Sequence, residues 1–318
     1  MKKIRLSFQG SLLAGGVLFG LIVLLGLLAP WVAPHDPLQV DLLNRLAPPS
    51  RKYPFGTDHL GRDVLSRLIY GIRMSVLIAC AITVATLCFS LPIGLLIGYV
   101  RGRVDQLIMR GIDGVLAFPD IILTVAIVGI LGPGFVNMTL AIIAVRWAGY
   151  VRYIRSLVQK ACQEDYVRYA RLSGNSHVRI LSRYVLPQAL PQLLVYAVWD
   201  IGRVVLMIAG LSFLGLGVQP PKPEWGVMLH DATSYFQVVP HVMIFPGLAI
   251  MLFVLACQLL GDRFSEKGRP NSGGSNSPWV QGYDRASGRA KTVVTRGTFG
   301  NLPHRRRSKR KWEQTTAA

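Results

Sequence analysis

Between Ser11 and Leu260 the chain alternates six apolar runs with polar segments that are mostly basic. A bilayer core of about 30 Å needs roughly 20 apolar helical residues to cross it. In lipid every backbone polar group must be satisfied internally, so runs of this kind fold as spanning helices. Composition agrees: the 318 residues are 51% hydrophobic and only 16% charged, against about 25% charged in soluble domains. The expected fold class is therefore all-α, a polytopic membrane protein with six transmembrane helices.

The first run, Ser11 to Ala33, follows Lys2, Lys3 and Arg5. It exceeds the ~7–15 residues of a signal-peptide core, and more spans follow, so it reads as an uncleaved helix with residues 1–10 inside. Gly16 and Gly20 form a small-xxx-small pair, which allows close helix packing or arises by chance. Residues 34–73 form an outer segment with six basic residues and four aspartates. In it Asp58 is placed to cap a turn, and Asp63 and Arg67 fall at i,i+4 on a short interfacial amphipathic helix.

Span two runs from Ser75 to Val100, with Arg101, Arg103 and Arg110 after it. Span three, Gly111 to Leu131, is interrupted at Pro119-Asp120, where a kink frees backbone groups that protein or water must satisfy. Span four covers Val136 to Val151, span five extends from Pro187 to about Val218, and span six is His241 to Leu260. Basic residues in short loops mark the cytoplasmic side. They fall there at every crossing except the first outer segment, and six spans put both termini inside.

The longest charged interruption, Glu164 to Pro187, lies in the basic loop 152–187. Val167, Ala170 and Leu172 suggest one short helix, Gly174-Asn175 its left-handed end, and Ser176 the cap of a second. Val178, Leu181 and Val185 carry an apolar stripe up to Pro187. Lys160, Arg168, Arg171, Arg179 and Arg183 keep the loop in the cytoplasm. A helical hairpin held on a membrane scaffold is a docking element. It is basic and turns at a glycine, as DNA-binding hairpins do, but spans on both sides deny it a duplex.

Residues 168–187 resemble the coupling loop of permease subunits of binding-protein-dependent ABC importers, E-A-A-x3-G-x9-I-x-L-P. Ala170, Gly174, Leu186 and Pro187 match in type and spacing, with Arg171 between them, while Arg168, Tyr169 and Tyr184 depart from the pattern. Gly56-Thr57-Asp58, Gly61-Arg62-Asp63, Ser66-Arg67, the run Leu211 to Val218, Pro221, Pro223 and Trp225-Gly226 resemble the dipeptide, oligopeptide and nickel permease family over about residues 10–263. Peptide permeases of that family usually carry a glutamate where this chain has Ile208. Together with Asp200-Ile201-Gly202, Ala209-Gly210, Gly102 to Gln106 and Glu224 to Met228, Ile208 looks closer to the nickel-type permeases, so nickel or a nickel chelate is the expected cargo and peptides the alternative.

The resemblance implies a type I importer permease domain over residues 11–263. It implies a second homologous permease, two cytoplasmic ATP-binding subunits and an external solute-binding protein as partners, lipid around the spans, and no cofactor or nucleic acid. The chain agrees in having no G-x-x-x-x-G-K-[ST] phosphate loop, so ATP hydrolysis belongs to a partner. Closure of those subunits would move the hairpin as a rigid lever, with Gly174 breaking the helices and Pro187 setting the angle into span five.

Arg146, Asp200 and Arg203 lie inside apolar runs, where each charge costs about 2.5–3.5 kcal/mol. One reading puts them on the translocation path. The plainer one pairs Asp200 with Arg203 and lets Arg146 snorkel to the surface. His230-Asp231 and His35-Asp36 invite a nickel-ligand reading, but their spacing forms no recognisable site. A membrane enzyme using Asp58, His59 and Asp63 is the competing class, and it lacks a nucleophile–base–orienter arrangement. The four cysteines have no C-x-x-C spacing and read as structural. Residues 264–318 are basic and rich in Gly and Ser, and read as a disordered cytoplasmic tail.

Overall fold

A computed structural model describes the backbone of residues 2–100 and 102–267, and side chains over 15–100 and 102–261. The expected tail lies outside these residues except at its start, where the last helix continues to Lys267. All regular elements among the described residues are helical, and the one extended pairing is a Thr57–Asp63 bridge. The helices are α1 (Lys2–Leu27), α2 (Ala29–Val32), α3 (Val64–Val100), α4 (Arg103–Leu116), α5 (Asp120–Leu131) and α6 (Phe135–Ala161). They continue with α7 (Asp165–Leu172), α8 (His177–Ile180), α9 (Leu186–Phe213), α10 (Trp225–Ala232) and α11 (His241–Lys267).

Three described helices are long and apolar enough to cross a membrane: Val64–Val100, His177–Phe213 and His241–Gly261. A fourth span arises if α4 and α5 count as one, though they meet at 85°. Pro119 occupies the N-cap of α5, so the expected kink is a full elbow. α6 has span length, but Arg146, Arg152, Arg155 and Lys160 break its apolar character.

Two helices run longer than their apolar runs suggest. α3 starts at Val64 and continues without a break through Ser75, so Asp63 and Arg67 do not sit on a separate interfacial helix. The cause is packing: the Trp225 ring lies where a side chain on Gly71 would stand, and its indole N–H donates to the Leu68 carbonyl at 3.2 Å. α8 joins α9 through a π-helical turn, Leu181–Val185, giving one helix from His177 to Phe213. Pro187 therefore lies inside a continuous helix and not at a break between two. Its ring would crowd the carbonyl four residues back, and the widened turn, in which Leu186 N–H donates to Leu181, makes room for it.

The main core joins α1, α3, α6, α9, α10 and α11 around Ile82, Ile142, Val204, Ile208, Trp225 and Phe253. A second cluster, Tyr150, Ile154, Val158, Val167, Ile180, Val185 and Leu193, seats the hairpin on α6 and α9. On α3, Gly94 and Gly98 let the backbone approach Ile154 and Val158, which stand 2.7 and 2.8 Å from where a Cβ would be. In α1 the close approaches fall at Gly15 against Leu259 and at Gly26 against Ile72, while Gly16 makes ordinary contact with Leu260 and Gly20 faces open space.

Candidate functional site

The hairpin is built largely as its residues dictate. α7 ends at Leu172, Gly174 adopts φ +75°, and Asn175 donates to the Ala170 carbonyl from its backbone and, at 2.9 Å, its side chain. Both bonds satisfy the Ala170 carbonyl, one of those that a helix end otherwise leaves open. Ser176 caps α8 by accepting from Arg179 N–H. Val167, Ala170, Ile180 and Val185 are buried against α6. The inward stripe thus runs through Ile180, and Val178 faces out.

On the outward side Leu172 is 83% exposed, Val178 76% and Tyr169 68%. Arg171 places its guanidinium over the Tyr99 ring, and Tyr99 Oη and His177 Nδ1 share a hydrogen bond of 2.7 Å. The end of α3 is thereby fastened to both arms of the hairpin. Nearby, Arg155 on α6 holds Asp105 on α4 with two bonds of 2.5 and 2.6 Å, and Arg152 pairs with Asp113. Leu186 is half-buried and Pro187 exposed at the foot of α9.

Halfway along α6 and α9 lies a charge cluster that corrects the plainer reading of these residues. Asp200, fully buried, pairs with Arg146 and accepts a 2.9 Å hydrogen bond from Tyr150 Oη. Arg146 is only 8% exposed and does not snorkel. Arg203 leaves Asp200 and lies over the Trp199 ring at 5.3 Å. Burial decides the pairing: Arg146 and Tyr150 are one turn apart on α6 and both aim at Asp200, while Arg203 points to the exposed face of α9. Asp120, at the elbow, adds a second carboxylate 3.5 Å from Arg146. Sequence reasoning missed Asp120 and Tyr150; their signals were the acid beside the kink-forming proline and the i+4 step from Arg146.

The end of the bundle far from the hairpin holds another ionic cluster. Asp58 accepts from Arg62 at 2.7 Å and pairs with Arg67, while Asp231 on α10 lies 3.3 and 3.5 Å from the same arginines. Burial alone would raise the Asp58 carboxyl, but Arg67 and Arg62 outweigh it and hold the pKa below its usual value. Asp58 also caps its turn by accepting from Leu60 and Arg62 N–H. The expected Asp63–Arg67 pair is absent, because Asp63 accepts from Ser66 and faces His35 at 3.5 Å.

These contacts also bear on two alternatives. Asp58, His59 and Asp63 do not converge: Asp58 and Asp63 hold the partners just named, and His59 stacks on Tyr235. Asp231 belongs to the arginine network, His230 bonds the Phe213 carbonyl, and no group of three metal-binding side chains forms among the described residues. Glu224 is buried at the N-cap of α10, where it accepts from Gly226 and Val227 N–H and from Ser75 Oγ. Burial raises its pKa against those donors. Ile208 is fully buried in the main core.

Comparison with known proteins bears on both ends of this arrangement. Residues 90–267 match the family described as binding-protein-dependent transport system inner membrane component, and residues 5–49 match the N-terminal TM domain of oligopeptide transport permease C. The chain is 42% identical over 259 residues to the nickel transport system permease protein NikC of Escherichia coli K12, covering 81% of this chain and 93% of that one. It is 46% identical over 255 residues to the di/tripeptide transport system permease protein DppC of Pseudomonas aeruginosa, covering 78% and 84%. A glutathione transport system permease protein, GsiD of Pectobacterium atrosepticum, is 38% identical over 261 residues, covering 81% and 86%. This chain belongs to the binding-protein-dependent transport system inner membrane components, the permease subunits of ABC importers, and is a transport subunit rather than an enzyme.

Proposed function

We propose that this chain is one of two homologous permeases of an importer that carries nickel, as ion or chelate, across the cytoplasmic membrane. In this reading it crosses the membrane six times in a type I permease fold with both termini cytoplasmic. The importer has two ATP-hydrolysing subunits on the cytoplasmic side, where the hairpin is the docking element, and a solute-binding protein delivers cargo at the far end. The observation that carries the coupling role is the two-sided hairpin: Val167 and Ile180 are sealed into the bundle while Tyr169, Leu172 and Val178 stand uncovered. A rigid element with an uncovered apolar edge transmits force from whatever covers that edge. Ala170, Arg171 and Gly174 shape the hairpin, and Leu186 and Pro187 join it to α9.

Nickel rests on the likeness to NikC across 93% of its length. The DppC likeness favours a second reading, import of short peptides. Uptake of radiolabelled nickel and of a labelled dipeptide by cells expressing the whole importer separates them. Nickel accumulation that depends on this chain supports the first reading, and dipeptide accumulation alone replaces it with the second.

A further inference from the structure

Asp120 and Arg203 are the two charged groups of the halfway cluster that the protein leaves open. Asp120 starts α5, 11 residues from Leu131; Arg146 lies 11 residues from Phe135 in α6, and Arg203 lies 10 residues from Phe213 in α9. Those helix ends meet, since Gly134 N–H donates to the Leu216 carbonyl. At ~1.5 Å per residue all three charges sit about 15–17 Å below that common end. Measured from that end, this depth is about half of a hydrocarbon core ~30 Å thick.

Within the cluster Arg146 pairs with Asp200, and Tyr150 donates to the same carboxylate. The Asp120 side chain, 40% exposed, has only the 3.5 Å edge of an arginine already committed to Asp200. Arg203 is exposed, feels the charge of Arg146, and has no carboxylate partner among the described residues. Exposed charges at this depth are costly in lipid, so they face a polar path or the second permease. The four charges cancel, and no group of three metal-binding side chains stands among the described residues.

We propose that Asp120 and Arg203 form a mid-membrane cargo-selecting pair for a small solute bearing a carboxylate and a cationic centre. Arg203 takes the carboxylate through charge-assisted hydrogen bonds, Asp120 faces the cationic centre, and the Arg146–Asp200 pair positions both. Two solutes share this chemistry: a short peptide with its protonated amine, and a nickel ion held in an amino-carboxylate chelate. The inference rests on the import reading and narrows its cargo.

The test uses membranes containing the complete importer, with each probe supplied preloaded on the binding protein. The probes are labelled nickel chloride, the same nickel premixed with histidine, Ala-Ala and Ala-Ala amide. For whichever carboxylate-bearing probe the wild type carries, R203Q is expected to lower uptake about tenfold or more. R203K should restore part of it, and D120N should weaken the same probe, all without loss of assembled complex. Which probe responds tells peptide from chelate. An unchanged preference over the amide or over nickel chloride overturns the pair and leaves the import reading standing. So does a fall in assembled complex that matches the fall in uptake, which assigns Arg203 to a subunit contact. If the wild type carries none of the probes, the cargo reading itself fails.

Discussion

The far end of the bundle and its middle each gather two arginines and two aspartates, and they use them in opposite ways. At the far end Asp58 and Asp231 are each shared by Arg62 and Arg67, which closes a ring across 169 residues of sequence between Arg62 and Asp231. In the middle Arg146 takes Asp200 and the edge of Asp120, and Arg203 stays apart. Equal composition thus gives a closed clamp in one place and an open site in the other. The difference is burial: Arg62 and Arg67 are both buried, whereas Arg203 and half of Asp120 are left to a surface that lipid cannot occupy cheaply.

The largest effect belongs to the clamp. Arg67→Ala leaves Asp58 and Asp231 short of a partner in a buried setting, which costs about 3–5 kcal/mol. Loss of the chain from the membrane fraction on immunoblot is the expected result, with uptake falling in proportion. Normal abundance would show that the ring does not hold the segment 34–63 to α10 and would erase the contrast.

Asp200→Ala is expected to be milder for folding, about 1–3 kcal/mol, because Arg146 keeps Asp120 beside it. Uptake should therefore drop further than abundance. If abundance falls as far as in Arg67→Ala, the middle cluster is a second clamp and its openness has no bearing on transport.

Acid separates two carboxylates at the far end. The Asp58 pKa lies below its usual 3.8, so its contribution to stability is complete above that value and fades as pH falls through the lower folded one. Glu224 has the opposite sign: raised above 4.5, it stabilises below that value and loses the contribution as pH rises through its folded pKa. In thermal unfolding of the detergent-purified protein, Asp58→Asn should flatten the decline on the acid side, and Glu224→Gln should gain relative to wild type toward neutral pH. A wild-type acid decline unchanged by Asp58→Asn would remove Asp58 from the clamp.

The apolar runs made α3, α9 and α11 legible, and Gly174 with Ser176 made the hairpin legible, because length and capping are local properties. Pairing was not. Asp63–Arg67 and Asp200–Arg203 lie at helical spacing, yet each aspartate turned to groups that packing brought closer: Ser66 and His35 for one, Arg146 and Tyr150 for the other. Helical spacing states only that two side chains share a face, and buried groups choose by desolvation among all neighbours. The inward stripe of the hairpin's second arm shifted from Val178 to Ile180 for a related reason. The π turn at Leu181–Val185 changes the helical phase, so a regular 3.6-residue count from Val185 back to Val178 fails. Ile208, used to judge cargo, is sealed in the core, so its residue type reports on packing around α9 instead of contact with a solute.

The smallest effect on folding is expected at the outer edge of the hairpin, which repeats the contrast between closed and open surfaces. Ile180 is fully buried on its inner side, and Ile180→Ala should cost about 2–5 kcal/mol through the cavity left behind. On the outer side, joint Leu172→Ser and Val178→Ser should change stability by no more than about 0.5 kcal/mol per site, since neither residue packs against this chain. Their effect belongs to the partner: the ATPase activity that loaded binding protein stimulates in the reconstituted importer should fall while the thermal midpoint holds. Unchanged stimulation would mean that the uncovered edge is not where force enters. The hairpin would then engage its driver through the basic residues Arg168 and Arg179 instead, and raised salt would weaken the coupling, as it does for contacts between exposed charges.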